Sequence, residues 1–325
     1  MLKLKKFLFK NGPLLATIAI FIVVYWIGGR LYPAMRNPQV FFNLFINNSS
    51  LLIISIGMTL VVLMGGIDLS VGGMIALSSI ASAALLQMGI NPILVMLMIL
   101  IMGVFFGLIM GTIIHYLKVE AFVVTLMGMF FTRGMAYVIN SSSITIKNDL
   151  YRFLALTKIP IPFIQNAFIY IPTLVGIILL VVIFLVTNFS FFGRTVYAIG
   201  NNEQSALLMG MPIARTKILV YAISGFCSAL AGIVFSISLL SGFGGYAQSM
   251  EMDAIASVVI GGTALTGGVG NVFGTLFGVL INGLIVSILQ FNGTLTSWWT
   301  RIGVGVLTLI FIGIQSLFYV KKRKA

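Results

Sequence analysis

The feature that most limits this chain is a succession of apolar stretches, each close to twenty residues long and nearly free of charge. They cover 13–32, 42–64, 71–88, 92–116, 119–140, 168–188, 216–240, 271–290 and 298–320. About 20 such residues, wound as a helix, cross the ~30 Å hydrocarbon core of a bilayer. A shorter stretch, 252–265, sits between glycine pairs and reads as a tenth, broken span. Charged residues make up 8% of the chain, where a soluble domain carries roughly 25%. The predicted fold is therefore all-α: one polytopic transmembrane bundle over 1–325, of about ten spans, with both termini on the same side. The 35 glycines suit helices that must approach closely where no hydrophobic force drives them together.

The basic residues orient this bundle. With both termini in the cytoplasm, that side receives Lys3, Lys5, Lys6, Lys10, Lys118, Arg194, Arg215, Lys217, Lys321, Lys322, Arg323 and Lys324. The outside receives only Arg30, Arg36, Lys147, Arg152 and Lys158, so the positive-inside rule favours cytoplasmic termini. Arg133 and Arg301 remain within or beside spans. The net charge of +13 is thus spread over ends and short loops, which explains it as topology and gives no surface for nucleic acid. The basic N-terminus followed by an apolar run has the look of a signal peptide. It lacks a small-x-small cleavage site and is long enough to span, which predicts an uncleaved first helix. One cysteine (Cys227), one histidine (His115) and six carboxylates provide no disulfide, no metal cluster and no nucleophile–base set. No catalytic residue, metal or cofactor is expected.

Two segments fall outside the lipid. Residues 141–167 form an extracytoplasmic loop rich in Ser, Pro and Asn. Residues 189–215 form the largest cytoplasmic loop, and within it Asn201 is placed to cap a short helix. Gln204 is in capping-box position, and Glu203 and Asn202 lie at the positive helix end. Leu207, Leu208 and Met209 end this helix, Gly210 suits the residue after the last turn, and Pro212 forbids continuation. Such a helix either docks into a groove on another protein or is a connector lying on the membrane.

Two further segments echo each other. Gly65-Gly66-Ile67-Asp68-Leu69-Ser70-Val71-Gly72 and Gly261-Gly262-Thr263-Ala264-Leu265-Thr266-Gly267-Gly268 share the pattern Gly-Gly-x-x-Leu-Ser/Thr-x-Gly. Gly65, Gly66, Gly261 and Gly262 mark helix breaks. Backbone there must face protein or water, so the breaks are either parts of a translocation path or tight turns with a small-residue packing seam. Asp68 is the acidic residue of most interest, because a carboxylate at membrane depth is paired or functional; near the boundary it would cap a helix. Glu251 and Asp253 begin an apolar segment, where first-turn carboxylates complement the helix dipole. Thr59, Asp68, Ser70, Asn140, Asn282 and Gln290 are polar groups on or beside spans, and are candidates to line a path or to serve as packing and caps.

Together these segments resemble the permease subunits of ribose-type sugar ABC importers. The resemblance is carried by 65–72, by Tyr197-Ala198-Ile199-Gly200-Asn201-Asn202 and by Asp253-Ala254-Ile255-Ala256-Ser257-Val258-Val259-Ile260-Gly261-Gly262-Thr263. It runs from about 40 to 315 with the motif order kept. Within the family, 121–134 (Ala121-Phe122-Val123 to Thr132-Arg133-Gly134) and 292–300 are most similar to a permease of the galactofuranose importer, which has Asp-Gly where this chain has Asn292-Gly293. The resemblance implies a multi-pass protein of the bacterial cytoplasmic (inner) membrane. It also implies a cytoplasmic ABC ATPase that docks on the loop around 200–210, an extracytoplasmic sugar-binding protein and a second, paralogous permease. The chain itself has no Gly-Lys pair for a P-loop, so ATP hydrolysis is expected in the partner. The rival expectation is an ion-coupled secondary transporter of a small polar solute, which needs ionisable groups at mid-membrane; here the carboxylates fall near span ends or in loops.

Overall fold

The computed structural model describes residues 2–164 and 166–293, together with 299, 302, 303, 305, 306, 309 and 310. Helix α1 (Leu2–Leu31) leads through a 3₁₀ turn (Pro33–Arg36) to α2 (Pro38–Asn47) and α3 (Ser49–Leu63). There follow α4 (Ser70–Gln87), α5 (Pro92–Tyr116) and α6 (Ala121–Ile139), then β1 (Ile144–Thr145), α7 (Asp149–Leu156), β2 (Lys158–Pro160) and β3 (Phe168–Tyr170). The chain continues as α8 (Ile171–Phe189), α9 (Phe191–Asn201), α10 (Glu203–Leu208), α11 (Ile213–Leu239), β4 (Ser241–Gly242), α12 (Met250–Ile260) and α13 (Val272–Asn292). Among the described residues, seven helices are long and apolar enough to cross a membrane, and the α2–α3 pair makes an eighth. The stretch expected at 252–265 is α12, only 11 residues long. The span expected at 298–320, and the basic tail with it, fall almost entirely outside the described residues.

Helix α3 is the axis. All fifteen of its residues are buried, as befits a helix apolar on every side. Helices α8, α11, α12 and α13 pack around it. The span expected as one continuous stretch over 42–64 is bent by 56° between α2 and α3. The bend has a local cause: Asn48 leaves the helical region, and its side-chain amide donates to Leu44 O at 2.7 Å. The closest pairing in the bundle is α5 against α11, where Gly103, Gly107 and Gly111, spaced four apart on one face, let the α11 backbone around Gly225 sit directly on α5. Buried hydroxyls such as those of Thr132 and Thr187 are satisfied by the carbonyl four residues back.

The contacts at helix ends sort the elements. The Leu63 carbonyl, the end of α9, α10 and the 261–271 loop gather at one end of the bundle, with the first turn of α13 beside Leu14 of α1. The described residues of the 141–167 loop lie at the opposite end and hold regular structure. Strand β1 pairs antiparallel with β4 and β2 with β3. Asn148 caps α7 by accepting from Leu150 and Tyr151 N–H.

Candidate functional site

The three segments singled out in the sequence meet at the end of the bundle that carries α10. Helix α3 stops at Leu63, and Gly65 (φ +81°) turns the chain while Gly66 passes close to the Tyr221 hydroxyl. The free carbonyl of Leu63 accepts from Gly268 N–H at 2.8 Å. Gly200, in the last turn of α9, presses on that same carbonyl, so that a Cβ there would overlap Leu63 O. Asn201 donates to Tyr197 O (2.9 Å) and Gly268 O (3.4 Å), and the Tyr197 hydroxyl donates to Gly270 O at 3.0 Å. The two glycine pairs divide their work alike. Gly65 and Gly262 (φ +93°) take backbone dihedrals that side chains oppose, whereas Gly66 and Gly261 permit close approach, the latter to the backbone of Gly274. Burial raises the affinity of the Tyr197 hydroxyl for its proton, so it stays a neutral donor to this junction.

Helix α10 stands on this junction. Its cap is Asn202, whose side chain accepts from Ser205 N–H at 2.8 Å. This corrects the expected capping by Asn201: α9 is itself helical through Asn201, so the chain turns one residue later, and Gln204 becomes the second helical residue instead of a capping-box partner. The helix closes as a Schellman turn, with Met211 N–H to Ala206 O (3.1 Å) and Gly210 N–H to Leu207 O (2.9 Å) around Gly210 at φ +72°. Ala206 is its buried anchor, packed with Ile199 and Ile213. Leu207, Leu208 and Met209 face outwards at 63%, 89% and 64% exposure. Lys217 on α11 reaches both carboxylate oxygens of Glu203 at 2.7 Å.

Asp68 caps a helix, as one of its two expected readings has it. The chain turns back into the bundle after Gly66, and the carboxylate is fully buried. It accepts from Ser70 N–H (2.9 Å), the Ser70 hydroxyl (2.6 Å) and the Ser224 hydroxyl (2.6 Å) in the fourth turn of α11. It therefore caps the first residue of α4 and ties α4 to α11 at once.

The chain matches, over residues 40–314, the family described as branched-chain amino acid transport system / permease component. It is 43% identical to the inner membrane ABC transporter permease protein YjfF of Escherichia coli K12, covering 94% of this chain and 92% of the relative. It is 35% identical to the fructose import permease protein FruG of Bifidobacterium longum (93% and 90% covered) and to the ribose import permease protein RbsC of Bacillus subtilis (93% and 91%). The chain belongs to this permease family. It is a multi-pass ABC-transporter permease subunit of the inner membrane. No solved structure matches it significantly.

The permease does not assemble its other sequence candidates into one open surface. Thr59 is buried, sharing a 2.7 Å hydrogen bond with Thr275 of α13 while its hydroxyl also reaches Ser55 O. Ser70 is buried with Asp68, and Asn282 is buried with an unpartnered side-chain nitrogen. Asn140 caps the far end of α6 and accepts from Ser142 N–H, and Gln290 is exposed near the end of α13. Among the described residues, Thr59 and Ser70 are spent on packing and capping, which keeps them from an open surface.

Sequence reasoning passed over Arg133. Its guanidinium donates to the carbonyls of Gly244 (3.2 Å), Tyr246 (2.6 Å) and Ala247 (3.2 Å). These belong to the strap 243–249, which is non-helical, dips into the bundle between β4 and α12, and holds two non-glycine residues at positive φ (Ala247 and Ser249). Backbone of this kind is tolerated at membrane depth only when protein satisfies it, and Arg133 does so. A lone arginine inside an apolar stretch was the available signal.

Proposed function

We propose that this permease forms the translocation subunit of an ATP-driven importer of a neutral monosaccharide, with hydrolysis carried out by a separate ABC ATPase. The observation that carries the reading is α10, a capped, Schellman-closed helix that presents Leu207, Leu208 and Met209 to a partner on the end of the bundle bearing Arg194, Arg215 and Lys217. A helix with an apolar end suits a groove on the ATPase, and Asn201, Asn202, Glu203, Gln204 and Gly210 set its position. On this reading the termini are cytoplasmic, and 141–167 meets an extracytoplasmic sugar-binding protein.

The ribose and fructose named for the relatives, and the similarity of 121–134 to the galactofuranose system, support an aldose or ketose cargo, with galactofuranose the most specific choice. The same similarity supports a paralogous second permease as partner. The path is proposed to run along the α3–α13 seam, where Thr59, Thr275 and Asn282 become accessible when the helices part, and where contacts are weak enough to release the sugar. The test is uptake of radiolabelled ribose, fructose and galactofuranose by vesicles holding both permeases, the ATPase and the binding protein. Uptake should require ATP inside the ATPase compartment. Uptake that persists without ATP, or follows an ion gradient, overturns the proposal in favour of a secondary transporter.

A further inference from the structure

At the end of the bundle opposite α10, a cavity of about 510 Å³ opens between the α2–α3 bend, the start of α8, the end of α11 and the start of α12. Its size falls within the roughly 300–1,000 Å³ of small-molecule sites. Among the described residues no charged side chain lines it. Asn47, Ser50, Tyr170, Thr173 and Ser238 bring polar groups to its wall, and Phe235 contributes an aromatic one. A second observation points to a ligand. The Thr173 hydroxyl is buried, with the residue 2% exposed, and has no hydrogen-bond partner. The hydroxyls of Thr112, Thr132 and Thr187 bond the carbonyl four residues back. Thr173 is the third residue of α8, so the residue four back lies in β3 and the helix offers it no such carbonyl.

Building on the function proposed above, we propose that this cavity is a low-affinity way-station for the neutral sugar within the permease itself, with Thr173 as one of its hydrogen-bonding groups. The chemistry fits. A sugar ring presents C–H faces to apolar and aromatic walls and hydroxyls to uncharged donors and acceptors, and a site without charge would not retain it. Anionic cargo such as a sugar phosphate finds no cation here. The position also connects the site to the opposite end: α3 runs from the cavity wall at Ser50 to the junction at Leu63, and α12 from Met250 to Gly261.

The test uses the assembled permease–ATPase complex in nanodiscs without its binding protein, and saturation-transfer NMR with the sugars of the uptake assay, ribose, fructose and galactofuranose. The expected result is transfer to the sugar that vesicles import, reduced several-fold by Thr173→Leu and kept by Thr173→Ser. Uptake by vesicles carrying the same variants should fall in parallel. Thr173→Val, which removes the hydroxyl at nearly constant volume, should show the same loss and guards against misfolding of the leucine variant. Wild-type uptake and transfer in Thr173→Leu and Thr173→Val overturn the site while leaving the importer reading intact. A phospholipid that occupies the cavity, seen as native-mass-spectrometry adducts lost in Thr173→Leu with no change in sugar uptake, also overturns it. If the wild type imports no monosaccharide, the function itself fails, and this site with it.

Discussion

Replacing Asp68 by alanine separates structure from chemistry at the centre of the permease. The carboxylate receives three hydrogen bonds within a fully buried setting. Hydrogen bonds to a charged acceptor are worth about 1.5–3 kcal/mol each, so the gross loss is large. Two effects reduce it. Ser224 can redirect its proton to the carbonyl four residues back, as Ser228 does toward Ser224 O at 2.8 Å. Removing the carboxylate also relieves its desolvation, a cost of several kcal/mol for a buried ion. Ser70 has no such escape, because it begins α4. The expected net loss is about 2–4 kcal/mol, or a fall of roughly 3–6 °C in the melting temperature of a domain this large. Asp68→Asn keeps the oxygen that faces Ser70 and lets Ser224 accept from the new amide, so it should cost about 1 kcal/mol. The assay is a fluorescence-detected melt of the detergent-solubilised permease, with Ser224→Ala and the double variant completing a cycle whose coupling should lie within about 0.5–3 kcal/mol. If Asp68→Ala melts within about 1 °C of the wild type, the three bonds do not hold α4 to α11 and the reasoning is wrong.

Other expectations follow from the same contacts. Leu207→Ser with Leu208→Ser should leave membrane insertion and melting unchanged, since both side chains are exposed, while sugar-stimulated ATP hydrolysis and uptake fall together; normal uptake would remove α10 from the coupling. Gly200→Ala drives a methyl into the Leu63 carbonyl and the hydrogen bond it accepts from Gly268, costing about 1–3 kcal/mol in overpacking; an unshifted melt would count against the junction as described. Arg133→Leu strands three strap carbonyls, at about 1–3 kcal/mol for each left without water. It should expose a cysteine placed at the buried Gly244 to a membrane-impermeant thiol reagent. Protection equal to the wild type would show that the strap holds without the guanidinium.

Much of the fold could be read from the sequence because the bilayer demands long apolar stretches and glycine packing. The paired Gly-Gly motifs and the 197–202 segment were visible as separate patterns. Their meeting at the Leu63 carbonyl was not, since it depends on a backbone acceptor that carries no residue signature. The capping error at Asn201 has a similar origin. Asn201 and Asn202 are equally good caps, and only the tertiary contact of Asn201 with Gly268 decides between them. The burial of Asp68 could not be read because the chain re-enters the bundle after Gly66, which span counting treats as an exit. The polar path candidates were chosen for lying on spans. That criterion cannot tell a hydroxyl spent on packing, as at Thr59, from an orphaned one, as at Thr173.

Two routes lead from α10 into the bundle, and their strengths differ. One is the Glu203–Lys217 pair, with the carboxylate half exposed, and exposed ion pairs contribute about 0.2–1 kcal/mol. The other is the junction, where the end of α9 bears on the Leu63 carbonyl through Gly200 and on the 264–270 loop through Asn201 and Tyr197. Backbone packed on backbone has no side chain to absorb a shift, and close-packed interiors transmit strain instead of yielding. On the proposed mechanism, a movement of α10 therefore reaches α3 and the α12–α13 turn through the glycines first, and α11 only secondarily. Glu203→Gln should then weaken coupling modestly, whereas Gly200→Ala should abolish it even in a background restabilised elsewhere. The reverse order, measured as uptake per ATP hydrolysed, would make α11 the principal lever.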